Sequence, residues 1–240
     1  MVKRLFDIGF SILVLAASSP VMLTALFLVW RQDKHSPLYK AVRVARNNGD
    51  FVMIKIRSMK VNADKTGVTS TSATDSRITK VGHFIRRFKL DELSQFWNVL
   101  KGDMSVVGPR PNTRLHGVDD YTPEEMRLLS VRPGITDLSS IVFSDEGAIL
   151  TGAEDADALY NQIIRPWKSR LGLLYVDKRS LRLDLRIIWL TAVAITSKER
   201  ALAGVARILD ELGADLELKR ICRRLEPLPR GIPPGTESLA

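Results

Sequence analysis

The sequence predicts a mostly helical α+β protein that carries one long apolar helix at its N-terminus. Three observations lead to this prediction. The 23 residues from Ile8 to Trp30 contain no charge, a stretch long enough for a membrane helix. Phe51–Lys60 is short, β-prone and partly alternating in polarity. Val81–Leu100 repeats its apolar side chains at helical spacing, as do several later segments.

The flanks of the apolar stretch bear on its topology. Lys3 and Arg4 precede it, and five basic residues follow between Arg31 and Arg46. Both flanks therefore carry the charge typical of a cytoplasmic face, which a simple span does not satisfy. A cleaved signal peptide is disfavoured because the apolar residues continue well beyond Pro20. We expect a retained membrane element.

Pro20 lies near the centre of the stretch and follows Ser18 and Ser19. Proline removes one helical N–H and crowds the preceding turn, and serine hydroxyls can satisfy the carbonyls that this frees within lipid. A helix broken at Ser19–Pro20 that returns to its starting face fits the charge and the proline together. An ordinary kinked span is the alternative, and the residues alone leave both open.

The next segments are assigned in chain order. Phe51–Lys60 is expected to form a strand with Lys55 and Arg57 on its polar face. Val61–Thr79 is rich in Thr, Ser and Asp and is predicted to be a polar loop. Val81–Leu100 is predicted to be one helix that stops at Gly102. An extended turn at Gly108–Pro111 and a short helix that ends within Met126–Pro133 are expected to follow.

The C-terminal third contains further helical patterns. Trp167, Leu171 and Leu174 recur beside basic residues, which suits a helix on a membrane surface, with packing on a soluble core as the default alternative. The expected order is completed by a buried or interfacial segment at Ile187–Ser197, an amphipathic helix at Ala201–Leu216 and a disordered tail at Leu225–Ala240. The predicted organisation is a membrane helix at 1–35, a catalytic domain at 36–197, and a C-terminal helix with a flexible tail at 198–240.

Composition limits the kinds of site that the 240 residues can build. One cysteine, Cys222, excludes an intrachain disulfide and a multi-cysteine zinc site, and three scattered histidines argue against a histidine-built metal centre. The net charge is +9, and the stretch from Ser76 to Arg114 alone contributes 8 − 3 = +5. Such a concentration is typical of a chain that binds nucleic acid, anionic lipid or a phosphorylated metabolite, although a solvated basic face is the commoner explanation.

Two adjacent carboxylates, Asp91 and Glu92, lie inside this basic stretch. Cations around a carboxylate lower its pKa, so we expect both groups to stay ionised. An ionised Asp can act as a nucleophile or bind Mg²⁺, which prefers carboxylate and phosphate oxygens. The same pair is also typical of a helix N-terminus, where it complements the helix dipole.

The sequence around these carboxylates resembles a known family. Lys89–Leu93 and Gln95–Pro111 look like the bacterial sugar transferases, the monotopic phosphoglycosyl transferases that act on polyprenol phosphate. The likeness covers roughly residues 1–196. It continues in Lys3–Arg4 with Asp7, in Ser19–Pro20, Lys55–Met59 and Arg132–Thr136, and in Leu183–Leu185.

The resemblance implies a re-entrant helix broken at Ser19 and Pro20 and a two-step mechanism. Asp91 attacks the β-phosphate of a nucleotide sugar, taken to be a UDP-sugar, and forms a covalent phosphosugar with release of UMP. Polyprenol phosphate, taken to be undecaprenyl phosphate, then accepts the phosphosugar. Glu92 helps Asp91 to hold Mg²⁺ or positions the acceptor. The residues assigned to binding substrate phosphate are Lys55, Arg57, Arg86 and Arg110, the last two because an arginine fork engages two oxygens at once.

The resemblance also implies a place and partners for the chain. The expected place is the bacterial inner membrane, with the catalytic domain on the cytosolic face, at the first membrane step of glycoconjugate synthesis. The expected partners are the nucleotide sugar, the polyprenol phosphate and membrane lipid, with no nucleic acid and with homo-oligomerisation left open. An alternative of another class is a membrane-tethered basic module that binds anionic lipid or nucleic acid without catalysis.

One segment departs from the family pattern. After Pro-Gly-Ile-Thr many relatives continue Gly-Trp-Ala-Gln-Val-Asn-Gly-Arg, with an arginine implicated in substrate binding. This chain continues from Asp137 without that arginine and adds Asp145 and Glu146. These two acids either hydrogen-bond sugar hydroxyls or lie on a surface loop, and the sugar cannot be inferred from those relatives.

Overall fold

The structure, a computed structural model, describes residues 1–63, 74–115 and 117–236, and it confirms a mostly helical chain with small sheets. The described α-helices are α1 (Val2–Asp33), α2 (Lys80–Arg87), α3 (Gln95–Lys101), α4 (Leu138–Val142), α5 (Glu146–Ile149), α6 (Ala156–Ile163), α7 (Arg165–Lys178), α8 (Leu181–Thr196), α9 (Lys198–Glu211) and α10 (Leu216–Arg223). The described strands are β1 (Leu38–Val44), β2 (Asp50–Ile56), β3 (Ser105–Val107) and β4 (Gly134–Thr136). Short 3₁₀ turns cover Arg46–Asn48, Leu90–Glu92, Val118–Asp120 and Glu125–Ser130.

Helix α1 is continuous for 32 residues, with Pro20 inside it. Helical hydrogen bonding therefore continues through Ser19–Pro20, and a bend of α1 at this point stays a prediction. The Ser19 hydroxyl donates to the Ala16 carbonyl at 2.8 Å, and so occupies the acceptor that the missing proline N–H leaves free. The helix is long and apolar enough to cross a membrane by length and composition. A return of α1 to its starting membrane face stays a prediction.

Both ends of α1 are bound to the same folded body. Near its start, Arg4 donates to the Leu100 carbonyl at 2.8 Å, and Lys3 forms an ion pair with Asp184 at 2.6 Å. At its end, Asp33 pairs with Arg57, and Val29 is fully buried. The middle of the helix, by contrast, exposes large apolar side chains: Ile12, Leu13, Leu23 and Phe27.

Two small sheets organise the body. Strands β1 and β2 form an antiparallel hairpin in which Leu38 pairs with Ile56 and Val44 with Asp50. The predicted strand at Phe51–Lys60 is confirmed, but it ends at Ile56, and its partner β1 was not predicted. Strands β3 and β4 pair in parallel, an arrangement the sequence pattern did not indicate because each strand has only three residues.

The predicted single helix over Val81–Leu100 is wrong. The chain forms α2, then a 3₁₀ turn, then α3, because Lys89 adopts a left-handed backbone conformation with φ 53° that no α-helix accommodates. Gly102 ends α3 with φ 97°, which confirms the predicted stop. The predicted short helix before Pro133 is a 3₁₀ turn, Glu125–Ser130.

Helix α7 lies in the core. Trp167, Leu171 and Tyr175 are almost completely buried, so the expectation of a membrane-surface helix at this segment is wrong and the default alternative holds. Arg165, Lys168 and Arg170 are paired with acids from other elements, as in the Arg165–Glu125 ion pair at 2.9 Å. Exposed apolar side chains occur instead on α2 and α8, where Phe84 and Trp189 are more than half exposed. An interfacial role for Ile187–Ser197, most of which lies in α8, stays a prediction.

The C-terminal segments share the core of the preceding domain. Buried residues of α8, α9 and α10 belong to one apolar cluster with those of α3, α4 and α7. Gly213, with φ 69°, separates α9 from α10 within the predicted helix Ala201–Leu216. Residues 225–236 have no helix or strand, as expected of the tail, but Gly231 donates to the Gln162 carbonyl at 2.8 Å and its Cα lies against Trp167. The loop Val61–Thr79 and the tail lie partly outside the described residues.

Candidate active site

Asp91 lies on the tight turn between α2 and α3, and this turn is bound to strand β2. The Ser94 hydroxyl donates to the Ile54 carbonyl at 3.1 Å. The buried Asn98 amide accepts from the Ile54 N–H at 3.0 Å and donates to the Val52 carbonyl at 2.7 Å. Strand β2, which is bound to this turn, thereby places Lys55 next to Asp91.

Glu92 is held by two of the predicted phosphate-binding cations. Arg110 donates to its carboxylate at 2.9 Å, and the Lys55 ammonium lies 3.9 Å from the same oxygen. Burial opposes the ionisation of Glu92, but the charges of Arg110, Lys55 and Lys89 outweigh it and lower its pKa to about 2. The prediction that Glu92 stays ionised is confirmed.

Asp91 differs from its neighbour. None of the hydrogen bonds or ion pairs among the described residues uses its carboxylate oxygens, and burial raises its pKa, against the charge of Lys55 and with the repulsion of Glu92. The expected lowering of the Asp91 pKa is therefore wrong, because desolvation and a neighbouring negative charge exceed the effect of the surrounding cations. A carboxylate of raised pKa with free oxygens is a better nucleophile than one engaged by cations.

Arg86 and Arg110 flank this pair from different elements. Arg86, near the end of α2, donates to the Ser58 hydroxyl at 2.9 Å, and burial lowers its pKa while the Asp91 charge raises it. Arg110 follows β3, where the Tyr175 hydroxyl donates to the Val107 carbonyl at 3.1 Å. The charge of Glu92 raises the pKa of Arg110, which keeps this guanidinium ionised.

Arg57 lies apart from this group. Its guanidinium donates to both Asp33 oxygens, at 2.6 and 2.7 Å, and to the Ser36 carbonyl at 2.8 Å. The structure therefore brings together Asp91, Glu92, Lys55, Arg86 and Arg110, and it places Arg57 at the end of α1. A phosphate contact of Arg57 stays a prediction, and each of its three nitrogens already donates to a protein oxygen.

Sequence reasoning missed several charged residues of this region. Burial lowers the pKa of Arg43, and the charge of Arg110 adds to this, so the two lie near each other. Arg43 was overlooked because strand β1, which carries it, was not predicted. Lys168 was given no role at the site, yet it pairs with Glu146 beside Arg110. The β-prone composition of residues 38–44, which include Tyr39, Val42 and Val44, was the available signal for β1.

The two acids that depart from the family pattern are both engaged. Glu146 forms its ion pair with Lys168, and its charge reaches Arg110. Asp145 pairs with Lys198 and with Arg224, the latter at 3.1 Å. Neither acid is therefore a free surface residue, and Asp145 connects the loop after α4 to the C-terminal segments.

The donor set at Asp91 and Glu92 bears on the predicted Mg²⁺. The described residues contain no group of three or more His, Cys, Asp or Glu side chains that could hold a metal. Two adjacent carboxylates, one with free oxygens, nevertheless fit Mg²⁺, which is commonly bound by one or two carboxylates together with substrate phosphates and water. These residues fit an ion held jointly with a phosphorylated substrate.

Comparison with known proteins agrees with this geometry. The family profile described as bacterial sugar transferase matches residues 1–198. An undecaprenyl-phosphate glucose phosphotransferase of Komagataeibacter xylinus is 38% identical over 196 residues, which are 79% of this chain and 35% of that protein. A UDP-N-acetylgalactosamine-undecaprenyl-phosphate N-acetylgalactosaminephosphotransferase of Aeromonas hydrophila is 34% identical over 79% of this chain and 42% of its own length.

A shorter relative is similar over nearly its whole length. The exopolysaccharide production protein PSS of Rhizobium leguminosarum bv. phaseoli is 35% identical over 204 residues, which are 81% of this chain and 94% of that protein. The chain thus spans less than half the length of the first two relatives and most of the third. The names of the first two relatives specify different sugars.

Proposed function

This chain belongs to the bacterial sugar transferase family, and from that membership we propose that it transfers a sugar 1-phosphate from a UDP-sugar to a polyprenol phosphate. Undecaprenyl phosphate is the proposed acceptor because it is the acceptor in the names of the similar proteins. The observation that carries the proposal is the arrangement at Asp91: a carboxylate with free oxygens and a raised pKa beside the cations Lys55, Arg86 and Arg110.

In the first step, an Asp91 oxygen attacks the β-phosphorus of the donor. A bond forms between this oxygen and the phosphorus, the bond to the bridging oxygen breaks, and that oxygen leaves with UMP. No proton transfer accompanies this step, because Asp91 attacks as its carboxylate and the leaving group is a phosphate. Lys55, Arg86 and Arg110 provide the positive charge that a carboxylate needs to approach a diphosphate.

In the second step, an oxygen of the polyprenol phosphate attacks the same phosphorus. The acyl phosphate bond breaks, Asp91 recovers its carboxylate, and the product is a polyprenyl diphosphate sugar. Glu92 is the weaker nucleophile of the two, because Arg110 and Lys55 hold one of its oxygens, Oε1, and its pKa is about 2. Glu92 instead fixes Arg110 in place.

Mg²⁺ is part of this proposal. Asp91 and Glu92 are the residues that would hold it, and the ion would neutralise phosphate charge during transfer. The residues of the chain still determine the geometry, since the Ser94 and Asn98 contacts fix the turn on which both carboxylates lie.

The proposal includes the membrane. We place the catalytic body on the cytosolic face of the bacterial inner membrane, with α1 re-entering from that face, at the first membrane step of glycoconjugate synthesis. The attachment of both α1 ends to one body supports this topology, because a helix with ends on opposite faces does not allow Lys3 and Asp33 to contact the same domain. The lipid acceptor then meets Asp91 at the membrane surface.

Replacement of Asp91 tests the proposal. With Asp91→Asn we expect no covalent labelling of the protein by a donor carrying radiolabel in its β-phosphate, and a loss of UMP release of at least about a thousandfold, as is typical when a nucleophile is removed. Asp119→Asn, which alters an exposed carboxylate, serves as the matched control and retains both signals.

The same experiment addresses the alternative of a non-catalytic basic module. That alternative predicts no UMP release by the unaltered protein, and a salt-dependent binding of anionic vesicles that Asp91→Asn leaves intact or strengthens. Continued turnover by Asp91→Asn would instead show that another group is the nucleophile.

A further inference from the structure

Two departures of this chain from its family are in direct contact with each other. One is the segment that contains Asp145 and Glu146 and lacks the arginine of many relatives. The other is the C-terminal segment, residues 199–236, which follows the last residue that the family profile matches. Arg224 of this segment, together with Lys198, pairs with Asp145. The contact indicates that the two departures act together.

The Arg224 side chain holds Asp145 with both branches of its guanidinium. Its Nη2 lies 3.1 Å from one carboxylate oxygen and its Nη1 3.3 Å from the other, and Nη1 also donates to the Val142 carbonyl at 3.3 Å. A two-point contact of this kind fixes orientation as well as distance. Asp145 immediately precedes α5, and its carbonyl accepts the Ala148 N–H at 2.8 Å. Arg224 therefore fixes the start of α5, where Glu146 lies.

The C-terminal segment also holds the helix that carries the partner of Glu146. This partner is Lys168 of α7. The preceding residue, Trp167, is buried and donates its indole N–H to the Pro229 carbonyl at 3.3 Å. The Gly231 backbone lies against the same ring. Both members of the Glu146–Lys168 pair are therefore supported from the C-terminal segment.

The Glu146–Lys168 pair connects this support to the reaction site. Lys168 and Arg110 line one small cavity of about 50 Å³, a size that admits water molecules only. The charge of Glu146 attracts the Arg110 guanidinium, and the charge of Lys168 repels it. Arg110 in turn donates to Glu92 at 2.9 Å. A displacement of Glu146 or Lys168 therefore changes the forces on the guanidinium that holds Glu92.

We propose that the C-terminal segment is a positioning element of the active site, in which Asp145 and Arg224 act through the Glu146–Lys168 pair to orient Arg110. This inference rests on the proposed function. Asp145 and Arg224 are positioning residues, because each acts on Arg110 through other side chains and neither touches the reacting groups. A purely structural contact would change the stability of the protein and leave its rate per folded molecule intact.

Asp145→Asn tests the proposal, because it breaks both ion pairs of Asp145 and keeps the shape of the side chain. We expect kcat/KM for UMP release to fall roughly tenfold, as for a misplaced group at a transferred phosphate. Asp210→Asn is the matched control, since it breaks another ion pair of the C-terminal segment, that with Lys219. The control is expected to retain kcat/KM. Full activity in Asp145→Asn, or an equal loss in the control, would overturn the proposal.

A double-variant cycle separates positioning from stability. Arg224→Gln and Glu146→Gln are measured singly and together in the full chain in lipid nanodiscs, by kcat/KM and by thermal unfolding. Because Arg224 acts through Glu146, the combined variant is expected to have nearly the kcat/KM of Glu146→Gln alone. Losses of kcat/KM that multiply, or no loss in Arg224→Gln, would contradict the proposed connection.

Acetylation of lysines gives a readout that does not depend on turnover. The Lys168 side chain is 16% exposed and paired, so we expect it to react slowly in the unaltered protein and severalfold faster in Asp145→Asn. Lys178, exposed on the same helix, is the internal control and keeps its rate. Unchanged Lys168 reactivity refutes the positioning alone. Faster Lys168 acetylation in Asp145→Asn, with no UMP release by the unaltered protein, refutes the proposed function alone.

Discussion

At the scale of single residues, two arginines that were both predicted to bind substrate phosphate have different surroundings. Among the described residues, the Arg86 side chain has one hydrogen bond, to Ser58, and its charge interacts with Asp91. Arg57 is buried, and its guanidinium donates hydrogen bonds to Asp33 and to two backbone carbonyls. Arg86 therefore has donors available for a phosphate, whereas Arg57 connects the end of α1 to the strand that carries Lys55.

Glutamine at each position separates the two roles. Arg57→Gln is expected to lower the free energy of unfolding by about 2–3 kcal/mol, because it removes charged hydrogen bonds and leaves Asp33 without its partner. Arg86→Gln is expected to leave thermal stability nearly unchanged and to reduce kcat/KM by roughly tenfold or more. Thermal unfolding and UMP release measure the two effects. If the Arg57→Gln protein has normal stability but a raised KM for the donor, Arg57 binds substrate phosphate after all.

Cys222 is a third case at this scale. It is fully buried on α10, and burial raises the pKa of its thiol to about 12. Between about pH 8.5 and pH 12 the unfolded chain has lost the thiol proton while the folded chain keeps it. As the pH rises through this window, the free energy of unfolding therefore falls by about 1.4 kcal/mol per pH unit. Below about pH 8.5 the buried thiol makes its full contribution to the free energy of unfolding.

Two measurements check this behaviour. The unfolding temperature should fall less between pH 8.5 and pH 10 in Cys222→Ala than in the unaltered protein. A maleimide at pH 8 should leave the folded protein unlabelled and react fully once the chain is unfolded in detergent. Rapid labelling of the folded protein would contradict the buried thiol.

At the scale of elements, the carboxylates and the cations could be chosen from sequence, but the element that presents them could not. The apolar spacing of Val81–Leu100 is helical throughout, and nothing in it marks Lys89, whose left-handed conformation depends on the tertiary fold. The interruption leaves Asp91 on a tight turn, with its oxygens free of helix contacts. Strands of three residues, such as β3 and β4, are too short for their pairing to be read from alternation.

The β3–β4 pair explains why glycine is needed beside the arginine of the site. A Cβ on Gly134 would lie 2.1 Å from the Gly108 nitrogen, a distance that forces the two strands apart. Gly134→Ala is expected to cost about 1–3 kcal/mol and to reduce kcat/KM more than tenfold, because Arg110 moves with Gly108. Gly49→Ala, where the nearest atom is 3.9 Å away, is the control that changes neither property. Full activity in Gly134→Ala would show that Arg110 does not depend on this strand pair.

At the scale of the whole molecule, the attachment of both α1 ends to one body has a consequence for topology. Cysteines at Val2 and at His35 are expected to be labelled by an impermeant maleimide from the same side of sealed vesicles, and a cysteine at Asp119 reports the side of the catalytic body. Because Cys222 is buried, it adds no background to this assay. Labelling of Val2 and His35 from opposite sides would establish an ordinary span.

The ion pair between Lys3 and Asp184 also sets an order of events during synthesis. The two residues are separated by 181 positions, so at about 5–20 residues per second the lysine leaves the ribosome roughly 10–35 s before its partner exists. During that interval Asp7, one helical turn away and 4.0 Å from Lys3 in the finished protein, is the acid within reach. In the proposed membrane topology, α1 therefore forms first, and the rest of the chain closes onto its start only when α8 has been made.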